Sequence, residues 1–293
     1  MDRTCQFTRV PDGRTLTFAE WGNLDGRPVF LLHGTPGCRL ARHPNEELVR
    51  SIGARVITYD RAGYGQSDRH RGRTVADDAS DVAAIADSLG IGRFAVEGGS
   101  GGGPHALAAA ALLGDRVTRA ACVVGVAPYD ALRDGWFTGM DPVNVKEFGW
   151  ALEGEDRLAA ELGQKDQRRR EQVAVDPAAV LDDFDLPESD KEVLRREDWA
   201  ELMRESWIEQ TRNGVWGWVD DDLAFVSSWG FDPAAIAVPT QVWYGTHDVM
   251  VPPLHGEWLA RTVPGAIVRL NELGHMGDPD ADLVELLGWL TAS

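Results

Sequence analysis

Phe94-Ala95-Val96-Glu97-Gly98-Gly99-Ser100-Gly101-Gly102-Gly103-Pro104 joins a short apolar run to an alanine-rich stretch that continues from His105 to Leu113. The apolar run predicts a buried strand and the alanine-rich stretch a helix, with Pro104 in a first turn where its missing N–H has no helical partner to lose. Between them Gly98-Gly99-Ser100-Gly101-Gly102 fits G-x-S-x-G. A strand that turns sharply into a helix strains the central residue and lifts its side chain clear of the sheet. Glycines on either side let strand and helix approach. A plain glycine-rich loop or a phosphate-binding turn is the bland alternative, but the Lys-Ser/Thr of a P-loop is missing.

The segments around this turn alternate strand and helix. Pro28–Leu32 and Arg55–Asp60 read as buried parallel strands, and Thr15–Trp21 as a half-exposed strand near the sheet edge. Val75, Ala79, Val82, Ala86 and Leu89 recur at helical spacing. Ala120–Val126, Pro239–Gly245 and Ala266–Leu270 read as further strands, and Asp280–Leu290 as a closing helix. The expected fold class is α/β, a mostly parallel twisted sheet with helices on both faces.

From about residue 131 strand-like runs stop, charges become dense and tryptophans gather; the core pattern resumes near 237. The expected organisation is therefore a core of residues 1–130 and 237–293, interrupted by a helical cap, 131–236. Trp199, Leu202, Met203 and Trp207 share one helical face within the insertion. The insertion's tryptophans are expected either to line an apolar pocket or to form the insertion's own core.

Composition limits the function classes. The 293 residues carry 29 basic and 47 acidic side chains, a formal net charge of −18, so phosphate backbones and anionic membranes are disfavoured partners. No run is long enough for a membrane span and no apolar segment follows Met1–Cys5, which makes a cytoplasmic protein the default expectation. Cys5, Cys38 and Cys122 have no metal-ligand spacing and read as reduced thiols. A small-molecule substrate, no metal and a monomer or homodimer are expected.

A serine nucleophile needs a base. Among seven histidines, His275 in Leu273-Gly274-His275-Met276-Gly277 follows the final strand, where loops at carboxyl ends converge on a site. His255 is a distant second, and His105, one helical turn past Ser100, is expected to pack against its surroundings. Asp248 precedes His275 after a strand, with room between them for one helix and one strand, and would orient the imidazole. Asp220, Asp221 and Asp222 compete only if the insertion folds unusually. His33-Gly34-Thr35-Pro36-Gly37 would bring the N–H of Thr35 opposite that of Gly101, two donors for an oxyanion. Glu97 is out of place on a buried strand; it either hydrogen-bonds behind the turn or tunes the site.

The order His33-Gly34-Thr35-Pro36-Gly37, then Asp60-Arg61-Ala62-Gly63-Tyr64-Gly65-Gln66-Ser67, the serine turn, Asp248 and His275 resembles the α/β-hydrolase superfamily along essentially the whole chain. The resemblance implies cofactor-free acyl-transfer hydrolysis, with Ser100, Asp248 and His275 catalytic and Thr35 and Gly101 forming the oxyanion hole. It implies a structural role for Asp60–Ser67. Serine at the turn disfavours haloalkane dehalogenases and epoxide hydrolases, which use aspartate there. The glycine-rich motifs are also similar to proline iminopeptidases, which usually have Gly where this chain has Thr35 and Trp where it has Gly101. The sequence thus predicts a carboxylesterase-like serine hydrolase acting on an ester, lactone or thioester. Alternatives are a proline-iminopeptidase-like aminopeptidase, an acyltransferase, or a non-catalytic receptor on the same fold.

Overall fold

The computed structural model describes residues 3–176 and 183–292. Eight strands form one sheet: β1 (Gln6–Arg9), β2 (Thr15–Gly22), β3 (Arg27–Leu32), β4 (Ala54–Tyr59), β5 (Phe94–Gly99), β6 (Val117–Val123), β7 (Thr240–Gly245) and β8 (Ile267–Asn271). Their spatial order is β1-β2-β4-β3-β5-β6-β7-β8. From β4 to β8 all neighbours are parallel, whereas β1 pairs antiparallel with β2 and β2 with β4.

Side chains alternate across this sheet as a strand's period of two requires. Phe30, Ile57, Val96 and Val242 face one layer of core, with α2 (Asp78–Ser88), α3 (Gly102–Leu112) and α10 (Pro253–Thr262). Val29, Val56, Ala95 and Trp243 face the other, against α1 (Glu46–Ile52) and α11 (Pro279–Leu290). The expected sheet with helices on both faces is therefore present. Four details differ from the sequence reading. The strand β1 and helix α1 carry no strong pattern and were not anticipated. β2 is almost wholly buried rather than half exposed, because β1, β4 and the helices enclose it. The strand read at Ala120–Val126 begins three residues earlier, at Val117. Ile267, Val268 and Leu270 look like core residues but are exposed, since β8 is an edge strand.

Between β6 and β7 lie α4 (Tyr129–Leu132), α5 (Pro142–Glu153), α6 (Glu155–Val175), α7 (Glu188–Leu194), α8 (Glu197–Gln210) and α9 (Trp216–Phe225). Asp141 caps α5 by accepting from Val143 N–H at 2.8 Å, and Pro142 opens the helix. Trp150, Leu158, Leu162, Trp207 and Trp218 form these helices' own core, while Trp136 and Trp229 join the core of the sheet. Asp221 of α9 ties the insertion to the sheet: it is fully buried and accepts from Arg61 (2.6 Å), Arg73 (2.5 Å), Tyr64 Oη (2.8 Å) and Thr35 Oγ1 (2.6 Å). Among the described residues no helix is long and apolar enough to cross a membrane.

Candidate active site

Ser100 directly follows β5 and adopts φ 54°, a left-handed conformation that costs a non-glycine residue energy and persists only where its surroundings impose it. The flanking glycines explain the imposition. A Cβ on Gly98 would lie 2.1 Å from the carbonyl oxygen of Gly102, and one on Gly102 would lie 2.0 Å from that of Leu32. Strand and helix therefore touch backbone to backbone on both sides of Ser100.

His275 Nδ1–H donates to Asp248 Oδ2 at 2.8 Å. The other oxygen, Oδ1, accepts from the N–H groups of Met250 (2.8 Å) and Val251 (2.9 Å), so the carboxylate is locked in place. Burial lowers the pKa of His275, but the negative charges of Asp248 and, further away, Asp190 outweigh it and hold the imidazole above its ordinary 6.5. α10 and β8 separate Asp248 from His275 along the chain, the one helix and one strand expected.

The loop after β3 places Thr35 against the serine turn. Its backbone nitrogen lies 3.0 Å from where a Cβ on Gly101 would sit, and Gly34 packs against Ser100. Among the described residues neither the N–H of Thr35 nor that of Gly101 has a partner. Buried Arg61 braces this loop by donating to the carbonyls of His33 and Gly34. His33 Nδ1–H donates to its neighbour's carbonyl at 2.7 Å, and its Nε2 accepts from Arg61 N–H at 3.2 Å. Burial, reinforced by Arg61, keeps the ring neutral.

The competing histidines are occupied elsewhere. His255 Nδ1 accepts from Ala127 N–H and its Nε2–H donates to Trp136 carbonyl, while burial lowers its pKa to about 4. His105 is wholly buried between Asp78 (3.1 Å) and Asp221 (3.4 Å). Asp220 pairs with Arg69, Asp221 belongs to the buried network, and Asp222 lines the cavity. Asp60 accepts from Arg39 and from Gln66 N–H, a structural contact within the Asp60–Ser67 turn.

Ser100, Gly34, Thr35 and Gly101 open on a cavity of about 340 Å³ whose wall includes Met250, Val251 and Met276, neighbours in sequence of Asp248 and His275. The inserted helices close it with Phe148, Trp199, Leu202, Met203, Trp207 and Trp218. The shared face of α8 thus rests on this cavity, and the tryptophans divide between lining it and filling the cores.

One residue was invisible in the sequence. Asp190 of α7 is fully buried and accepts from the N–H of His275 at 2.8 Å and of Met276 at 3.0 Å. Pro187-Glu188-Ser189-Asp190-Lys191 looks like any acidic first turn, and nothing in it signals a contact so distant along the chain.

The family described as alpha/beta hydrolase fold matches residues 27–278, and the chain belongs to that family. A non-heme chloroperoxidase of Streptomyces lividans is 34% identical over 48% of this chain, which spans about half (52%) of that protein's length. A proline iminopeptidase of Neisseria gonorrhoeae is 24% identical over 92% of this chain and 89% of its own. Among solved structures, a thermophilic esterase of Thermogutta terrifontis superposes with TM-score 0.66 at 23% identity, over 98% of this chain and 100% of that one.

Proposed function

We propose that the chain is a serine hydrolase that cleaves a carboxylic ester, or a related lactone or thioester, of a small molecule, with residues 131–236 acting as a cap over the site. The observation that carries this reading is the 2.8 Å pair of His275 and Asp248, set beside a cavity on which the strained Ser100 opens. Ser100 Oγ attacks the carbonyl carbon while His275 Nε2 takes its proton, and the imidazolium that forms faces the carboxylate of Asp248. The N–H groups of Thr35 and Gly101 hold the oxyanion. Collapse of the tetrahedral adduct breaks the bond to the leaving alcohol, which receives the proton from His275. Water, activated by His275, then releases the acid from Ser100.

The test is hydrolysis of p-nitrophenyl esters from acetate to octanoate, beside prolyl-p-nitroanilide, by the wild type and Ser100→Ala. Ester turnover that falls about 10⁴-fold or more in the variant supports the reading. Turnover that survives the substitution sinks it. A prolyl aminopeptidase is the second reading, favoured by the Neisseria relative's coverage and by the carboxyl groups of Glu147 and Asp222 on the cavity wall. Preference for the prolyl anilide would select it. Ligand binding without turnover of any substrate would select the receptor.

A further inference from the structure

The peptide unit that joins Gly34 to Thr35 has its two polar ends in different surroundings. The cis bond of this loop is Thr35–Pro36, and the Gly34–Thr35 bond is trans, so its C=O and N–H point in opposite directions. Among the described residues the N–H of Thr35 has no partner, and it stands beside Gly101 and the serine turn. The C=O of Gly34 points the other way and accepts twice, from His33 Nδ1–H at 2.7 Å and from Arg61 Nη2 at 3.0 Å. A rigid peptide plane clamped at its oxygen cannot turn, so the N–H at its other end is held as well.

Both donors are themselves fixed. His33 is buried, its ring sits edge-on to Tyr64 with centroids 4.9 Å apart, and its Nε2 accepts from Arg61 N–H at 3.2 Å. That contact puts the ring proton on Nδ1, the nitrogen that faces Gly34. Gly37 leaves room for it: a Cβ there would lie 2.6 Å from His33 Nδ1 and 2.8 Å from the Gly34 oxygen, the two ends of the same hydrogen bond. The guanidinium of Arg61 is wholly buried, with Nη2 donating to Asp221 Oδ2 at 2.6 Å and Nη1 to the carbonyl of His33.

We infer that His33 and Arg61 are positioning residues for the proposed oxyanion donor: by gripping the carbonyl of Gly34 they aim the N–H of Thr35 and strengthen it. Hydrogen bonds accepted by the oxygen draw electron density from the amide nitrogen, and linked hydrogen bonds reinforce one another, most of all where one donor is a cation. Arg61 thereby has a part in the chemistry beyond its place in the Asp60–Ser67 turn. The gain is felt only when negative charge develops on the substrate oxygen, so it belongs to kcat rather than KM. This inference rests on the serine-hydrolase reading of Ser100.

The test uses an aryl trifluoromethyl ketone. Ser100 Oγ bonds to the ketone carbon, the carbonyl π pair moves onto its oxygen, and the serine proton passes to His275, which leaves a hemiketal oxyanion in place of the reaction's own. Fluorine NMR across pH reads the acidity of that hemiketal in wild type, His33→Leu, His33→Asn and Arg61→Lys. His33→Leu removes one donor to Gly34, and Arg61→Lys keeps the charge beside Asp221 but loses the fork. In each the hemiketal should become about tenfold less acidic, and kcat per serine titrated with a fluorophosphonate should fall about tenfold with KM little changed. His33→Asn, whose amide nitrogen can stand where Nδ1 stands, should recover most of both losses. A variant that only lowers the number of titratable serines, with hemiketal acidity and kcat per site unchanged, overturns the role of the residue it replaces. Failure of His33→Asn to recover either quantity overturns the role of His33. A wild type that forms no hemiketal and turns over no ester overturns the hydrolase reading and this inference with it. A wild-type hemiketal indifferent to both substitutions overturns the inference alone.

Discussion

Asp190, on the inserted helix α7, holds the backbone of His275: one carboxylate accepts from the N–H groups of His275 and Met276 at 2.8 and 3.0 Å. The proposed base is thus fixed from two sides, by Asp248 through its ring and by Asp190 through its main chain. Seating of α7 and placement of the imidazole become one event. Asp190→Asn keeps the shape but presents an amide nitrogen to one of the two donors. Small displacements of a catalytic group are costly, so kcat should fall about 10- to 100-fold, normalised to serine sites titrated with a fluorophosphonate. A merely destabilising change would lower the number of titratable sites instead.

The pH profile gives an independent reading of the same contact. In the proposed mechanism His275 must be neutral to accept the proton from Ser100. Its pKa stands above 6.5 because the charges of Asp248 and then Asp190 outweigh burial. The acid limb of kcat/KM should therefore lie above pH 6.5 in the wild type. Asp190→Asn removes one of those charges and should move that limb to lower pH. An unmoved limb would show that Asp190 does not act on His275.

Thr35 and Gly101 compete for one volume. A Cβ on Gly101 would fall 2.3 Å from Thr35 Oγ1 and 2.7 Å from its Cβ. This explains why the chain departs from the iminopeptidase pattern at both positions together: a side chain at one requires its absence at the other. Gly101→Ala should displace the proposed oxyanion donors and lower kcat/KM by about a hundredfold. Thr35→Gly removes the clash, so the double variant should be more active than Gly101→Ala alone. Additive losses in the cycle would refute the shared volume.

Legibility in the sequence followed the range of the interactions. Gly98 and Gly102 were readable because their constraint, backbone against backbone at a strand-to-helix turn, is local. Asp248 and His275 were readable from chain order, since parallel strands put successive loops at one edge. Asp190 was not, because its partner is 85 residues away and its own surroundings are ordinary. The exposure of Ile267, Val268 and Leu270 was hidden for a related reason: an apolar strand reads the same whether or not an element covers it. The division of tryptophans between cavity and core depends on how helices pack, which their periodicity does not specify.

Glu97 makes a prediction about stability. It lies on β5 behind Ser100, and burial pushes its carboxyl up to about 7 from an ordinary 4.5. Folding therefore takes up a proton between those values. This group's contribution to stability is fully present below pH 4.5 and is lost as pH rises through 7. Glu97→Gln removes the ionisable group while keeping the size. The variant should gain about 1–3 kcal/mol over the wild type at pH 8 and little at pH 4.5. Urea melts of both proteins across this range decide it, and a difference independent of pH would rule out burial of the charge as the cause.

Asp221 makes the opposite prediction, in both sign and site. Burial alone would raise its pKa, but Arg61 and Arg73 more than offset this and hold it well below 3.8. Its contribution is thus complete above the unfolded value of 3.8 and is lost only as pH falls through the folded value. Asp221→Asn leaves two buried guanidinium groups without their anion, so it should cost about 3–5 kcal/mol. The difference between wild type and variant should stay level from pH 5 to 8 and narrow below pH 4. Because Thr35 Oγ1 also donates to this carboxylate, folded Asp221→Asn should lose activity beyond its loss of folded protein. Activity per titrated Ser100 measures that excess. A value equal to wild type would separate the Asp221 network from the loop that carries Thr35 and leave it a purely structural tie between insertion and sheet.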